Sequence, residues 1–161
     1  MKVKGVNMRI SGMSLFQHRI KPEWEDDVNK NGGELKINFR SNLEFLQKIW
    51  EKLVFSVVTD SFDNAQMLSG IRLLDKSVSG RENNFRIEIW TKFDNSQGGL
   101  VQELQRHLET EYVQMMIDDP HTRPVNNRTE EQVAAQWISS FTNHSKDDSA
   151  KSYPPRGPRP Q

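Results

Sequence analysis

Two short segments hold the residue types that could recognise a ligand: an indole beside a carboxylate at Trp24-Glu25, and an arginine, an acid and a second indole in Phe85-Arg86-Ile87-Glu88-Ile89-Trp90-Thr91. An indole face attracts a cationic ring by charge as well as dispersion, worth about 0.5 to 2 kcal/mol depending on desolvation. A carboxylate accepts two parallel N–H donors as a charge-assisted pair. Together they suit a 7-methylguanine base, because methylation at N7 makes the ring cationic and strengthens its N1 and exocyclic amine donors. A matched base contact of that kind discriminates by about 1 to 3 kcal/mol. Arg86 adds a planar fork that grips phosphate at two oxygens, which lysine cannot do.

The elements that must position these residues follow from periodicity. Met13 to Ile20 reads as a strand, and the polar, glycine-ended stretch Lys21 to Gly33 reads as the long loop that carries Trp24. Leu35, Ile37 and Phe39 alternate with Lys36 and Asn38, the period of a half-buried strand. Ser41 and Glu44 form a capping box, after which Leu43, Leu46, Ile49, Trp50, Leu53 and Val57 recur at helical spacing. Leu68–Leu74 and Phe85–Phe93 read as a strand hairpin across the polar loop Ser79-Gly80-Arg81-Glu82-Asn83-Asn84. In the second strand Phe85, Ile87 and Ile89 then point one way, while Arg86, Glu88 and Trp90 point the other. A helix is expected from Leu100 to about Met116, stopped by Asp118-Asp119-Pro120, and a final short helix from Thr129 to Phe141. Residues 1–143 make one domain. The polar tail 144–161, with Tyr153-Pro154-Pro155-Arg156-Gly157-Pro158-Arg159-Pro160, cannot bury enough surface to order itself.

Composition narrows the function by exclusion. With 22 Lys and Arg against 22 Asp and Glu there is no global basic field to hold long nucleic acid, so any such contact is local and short. No cysteine is present, which removes disulfides, thiolate zinc sites and a cysteine nucleophile. The four histidines, His18, His107, His121 and His144, are dispersed, and no metal or cofactor is expected. Phosphate-cradling and nucleophile-elbow motifs are missing too, so catalysis lacks a constellation. Neither a signal peptide nor a run of about 18 apolar residues occurs, and the expectation is a soluble intracellular chain without a membrane partner.

Around Trp24 the chain resembles the translation initiation factor 4E family of mRNA cap-binding proteins, which carry a Trp-Glu pair in a loop ending in a twin glycine, here Gly32-Gly33. Further matches follow in order: Lys48-Ile49-Trp50-Glu51, Asp60-Ser61-Phe62-Asp63, then Phe85 to Thr91, so that residues 14–116 are covered. The resemblance implies an α+β fold, a curved antiparallel sheet with helices on its convex face, lacking the first strands and helix of the family. It implies a protein that binds the 7-methylguanosine cap of mRNA in translation initiation or its regulation, not an enzyme. Trp24 would stack on the base, Glu25 would read its edge, and Trp90 would touch the methyl group. Arg86 would meet the phosphates together with Lys76, for which Arg81 is the substitute. The implied setting is cytoplasmic, with the nucleus as a second compartment. Trp50 and Trp137 are read as packing residues.

Two departures qualify the resemblance. The family sandwiches the base between two tryptophans, the first well upstream; here 23 residues precede Trp24, with Phe16 the one aromatic among them. Three explanations stand: a shortened N-terminus, a one-sided stack, or another aromatic in the gap. Glu51-Lys52 also replace the apolar-then-acidic pair that follows the matching tryptophan, so a scaffold or repressor protein on the helical face would need altered complementarity. The alternative function is a 4E-like interaction module or competitor without strong cap binding.

Overall fold

The computed structural model describes residues 11–39, 43–62, 64–77, 84–113, 115 and 138–144. Five strands, β1 (Gly12–Phe16), β2 (Gly33–Phe39), β3 (Leu68–Asp75), β4 (Phe85–Thr91) and β5 (Ile138–Asn143), form one antiparallel sheet in the spatial order β1-β3-β4-β2-β5. Helices α1 (Leu43–Val58) and α2 (Gly98–Leu108) cover one side of it.

Alternation along β4 sets the layering. Ile87 lies opposite Ile37 of β2 and Leu73 of β3, and Ile89 opposite Leu35 and Ile71. These side chains form a continuous apolar layer that meets Phe45, Leu46, Ile49 and Leu53 of α1 and Val101, Leu104 and Leu108 of α2. Each such side chain contributes about 1.5 to 3 kcal/mol when fully buried, so this layer is what holds helices to sheet. The α+β expectation is met, and Arg86, Glu88 and Trp90 take the other face as the alternation requires.

Several boundaries differ from the sequence reading. The first strand stops at Phe16 instead of Ile20, because the chain turns there, with Arg19 at φ 69° and the Ile20 N–H bonded to the Gln17 carbonyl. In α1 the buried stripe is rotated: Phe45 is buried and Leu43 exposed, while Trp50 is partly buried against the core. The α2 ladder ends at Leu108 and continues as a π-helical turn, Glu109–Val113, which keeps Tyr112 in the core. Ser41 of the capping box, Arg81 in the hairpin loop and Trp137 lie outside the described residues.

The largest correction concerns the C-terminal element. Ile138–Asn143 is not the end of a helix but a strand on the outer edge of β2. A register shift between Leu35 and Lys36 skips Ser140, so that Ile138 falls opposite Ile37 and Phe141 opposite Leu35. The bulge therefore sets two apolar residues three apart, a helical spacing produced by a strand.

Gly32 of the twin glycine is fixed by close approach: a Cβ there would lie 2.0 Å from the Thr91 carbonyl oxygen. Replacing Gly32 with alanine should cost about 2 kcal/mol or more, since backbone on both sides must move. Urea unfolding of Gly32→Ala against wild type measures this, and equal stability would contradict the β2–β4 geometry.

Candidate functional site

The loop joining β1 to β2 is braced from within. The Asp26 carboxylate accepts the N–H groups of Lys21 and Val28 at 3.1 and 3.0 Å, and these bonds hold its pKa below the usual carboxylate value. Asn29 is fully buried and donates from Nδ2 to the carbonyls of Lys21 at 2.8 Å and Glu23 at 3.0 Å. Lys21, Glu23, Asp26, Val28 and Asn29 thereby brace the loop on either side of Trp24 and Glu25. Trp24 projects from it with 48% of its surface exposed. Glu25 is exposed beside it and makes no hydrogen bond or ion pair with any described residue.

Trp90 has the opposite environment. It is 0% exposed, enclosed by the Phe16 ring edge-on at 5.4 Å, the His144 ring at 4.4 Å and the Arg72 guanidinium 5.2 Å over its face. Gly70 makes room for this, because a Cβ there would meet the Phe16 ring at 2.5 Å. Trp90 Nε1 donates to Glu88 Oε2 at 3.4 Å, and that same oxygen takes both Nε and Nη2 of Arg72 at 2.8 Å. Arg86 stands alongside, its Nε donating to Asn38 Oδ1 at 3.1 Å and its Nη1 3.9 Å from Glu88 Oε1. Lys36 pairs with the buried Glu34 at 2.8 Å. Three cations and two carboxylates thus line the sheet face opposite the helices.

His144 joins the two indoles. Its backbone N–H donates to the Gly32 carbonyl at 2.9 Å, and its ring Nδ1 lies 3.0 Å from the Asn29 carbonyl. A carbonyl only accepts, so Nδ1 carries the proton and Nε2 of the neutral ring is a lone-pair acceptor. Among the described residues Nε2 is buried without a partner, as are Asn29 Oδ1 and Glu34 Oε2. Burial pushes the His144 pKa below the usual imidazole value. The ring also lies nearly parallel to Trp24, at 19° and 6.3 Å between centroids. Phe16, Trp90, His144 and Trp24 form one aromatic row from sheet to surface.

Of the residues singled out in the sequence, Trp24 and Glu25 share the loop, while Trp90 lies behind His144 and Arg86 on the same sheet face. Lys76 is exposed just beyond β3. Sequence reasoning passed over His144, placed at the head of the tail, and Arg72, whose even spacing from Gly70 and Leu74 puts it opposite Glu88 once the hairpin is registered. Among the described residues no group of three or more His, Asp or Glu side chains gathers as a metal site.

A family model described as eukaryotic initiation factor 4E matches residues 6–136. The chain belongs to the initiation factor 4E family. Similar relatives include eukaryotic translation initiation factor NCBP of Triticum aestivum, 29% identical over 112 residues, or 68% of this chain and 45% of that protein. The protein of the same name from Arabidopsis thaliana is 30% identical over 112 residues, 68% and 48% respectively. The chain therefore spans about half the length of the curated relatives it matches. Among solved 4E structures, Ascaris suum eIF4E-3 in complex with an m7G cap superposes with a TM-score of 0.55 at 19% identity, covering 73% of this chain and 65% of that one. C. elegans eIF4E-3 with the 4E-binding protein Mextli and a cap analog gives 0.54 at 21%, covering 71% and 61%. At these identities the likeness is one of fold.

Within this 4E-family site, His144 makes stability depend on pH with a definite sign. Its pKa is depressed in the folded chain, so the unfolded chain takes up the proton first on acidification. Its contribution is complete above the unfolded imidazole value of about 6.5 and is lost as pH falls through the folded pKa. Lowering pH from about 7.5 to about 5.5 should reduce the melting temperature of wild type more than that of His144→Asn. Parallel shifts in scanning calorimetry would contradict a buried neutral ring.

Proposed function

We propose that this chain binds the 7-methylguanosine cap of mRNA and acts in translation initiation or its regulation, as a binding protein without a catalytic step. The observation that carries this reading is the half-exposed Trp24 on a braced loop, with the Glu25 carboxylate beside it unpaired among the described residues. Trp24 stacks on the methylated base and Glu25 accepts its N1 and exocyclic amine protons. Arg86, with Lys76 or Arg81, meets the phosphates at the edge of the charged sheet face. Trp90, wholly buried, serves as the floor against which the His144 ring rests. Family membership supports the reading, as does the fold likeness to a protein solved with an m7G cap. The cytoplasm, with the nucleus second, is the setting this role requires.

A second reading is a 4E-like interaction module that has lost strong cap binding. What favours it is the complete burial of Trp90, together with Phe55 and Val58, each 68% exposed on α1 next to Glu51-Lys52. On that reading a scaffold or repressor segment lies along the helices and the nucleotide site is vestigial.

Quenching of intrinsic tryptophan fluorescence by 7-methyl-GTP and by GTP separates the two. The cap reading expects the methylated nucleotide to bind at least about tenfold tighter, with Trp24→Ala and Glu25→Ala each losing about tenfold or more. Equal or absent quenching by the two nucleotides would sink it. A methyl preference that survives Trp24→Ala would mean that the stacking residue has been misassigned.

A further inference from the structure

We propose that Asn31-Gly32 is a self-modification site: the closed loop holds the pair unreactive, and opening of the loop lets Asn31 deamidate to aspartate and isoaspartate, after which the loop no longer closes as before. This chemistry needs no ligand and stands apart from the cap-binding reading. Asn31-Gly32 is the one Asn-Gly pair in the sequence. Glycine has no Cβ to shield its main-chain nitrogen or to restrict the approach of the preceding side chain. In the reaction the Gly32 nitrogen gives up its proton and attacks Cγ of Asn31; the N–Cγ bond forms, the Cγ–Nδ2 bond breaks and ammonia leaves. Water then opens the cyclic imide. Addition at Cγ leaves aspartate, while addition at the main-chain carbonyl carbon leaves isoaspartate, whose chain runs through the former side chain and is longer by one methylene group. No electrons change hands, and an amide is exchanged for a carboxylate.

The closed loop withholds the nucleophile. Asn31 is exposed, but Gly32 is buried and its N–H donates to the Asn29 carbonyl at 2.8 Å, so the nitrogen is turned inward and keeps its proton. His144 clamps both ends of this turn, its backbone N–H on the Gly32 carbonyl at 2.9 Å and its ring Nδ1 3.0 Å from the Asn29 carbonyl. His144 directly follows β5, the outer strand beside β2, and the clamp is lost whenever that strand peels away. Local opening of such an edge costs less than unfolding the sheet. Modification then prevents return. A Cβ at Gly32 would lie 2.0 Å from the Thr91 carbonyl oxygen, and one at Gly33 2.3 Å from the Phe141 ring. The extra methylene of isoaspartate enters the chain immediately before this wedge, where neither wall has room to give. The segment that presents Trp24 and Glu25 thus carries its own irreversible release.

Incubation of the full chain in native buffer and in unfolding urea, with residue 31 followed by peptide mapping that resolves isoaspartate, tests this. The native chain should react at least about tenfold more slowly than the unfolded one, and equal rates overturn the protection. Asn31→Gln, which would need a larger ring, should abolish the mass change; its persistence overturns the assignment. In native buffer His144→Ala should react about three- to tenfold faster than wild type. Leu104→Ala weakens the core away from the loop and should stay within about twofold of wild type. Acceleration by Leu104→Ala equal to that by His144→Ala places the reaction in the globally unfolded chain and overturns the clamp. If His144→Ala fails to fold, the modified wild type decides: its isoaspartyl form, separated by ion exchange and returned to native buffer, should melt at least about 2 °C below the unmodified chain. An unchanged melting temperature overturns the loss of closure.

Discussion

Strand β4 runs between β3 and β2, so each of its side chains is committed to one of two covered faces, and that commitment generates both the core and the site. Ile87 and Ile89 enter the apolar layer beneath the helices, and the residues between and beyond them, Glu88 and Trp90, are forced to the opposite side. A buried carboxylate there is tolerable only with partners, which explains why Glu88 gathers the Arg72 guanidinium and the Trp90 indole N–H. A change of one residue in register would exchange the two sets and destroy both faces together.

The second dependency is long in sequence. His144 reaches back to Asn29 and Gly32 and closes the loop that presents Trp24. Strand β5 makes this possible by pairing with β2, stacking Phe141 on Phe93 at 5.9 Å and placing Asn143 to accept the Asn95 N–H at 2.9 Å. Rigidity of the loop is thus contributed from the far end of the chain, while the loop itself exposes only Trp24 and Glu25 for chemistry.

What the sequence made legible was local. Period-two alternation in Phe85–Thr91 assigned the faces, and the glycine-ended polar stretch identified the loop of Trp24. What escaped depended on pairing between distant segments. The bulge at Ser140 gave β5 the spacing of a helix, so its edge pairing was invisible and His144 was counted with the tail. Arg72 looked like an ordinary strand residue until the hairpin register set it against Glu88. The burial of Trp90 was hidden for the same reason, because each of its three covers comes from a different element: β1, β3 and the residue after β5.

The chain carries four tryptophans, and only Trp24 combines exposure with a neighbouring free carboxylate among the described residues. That makes the central claim accessible to one spectrum. Assigned indole N–H resonances, followed through parallel titrations with 7-methyl-GTP and GTP, report each tryptophan separately. The account predicts a large, saturable shift at Trp24 with the methylated nucleotide, a smaller one at Trp90 and none at Trp50, with GTP producing far less at equal concentration. A Trp24 resonance that stays in place while the methylated nucleotide binds elsewhere, or does not bind, would contradict it.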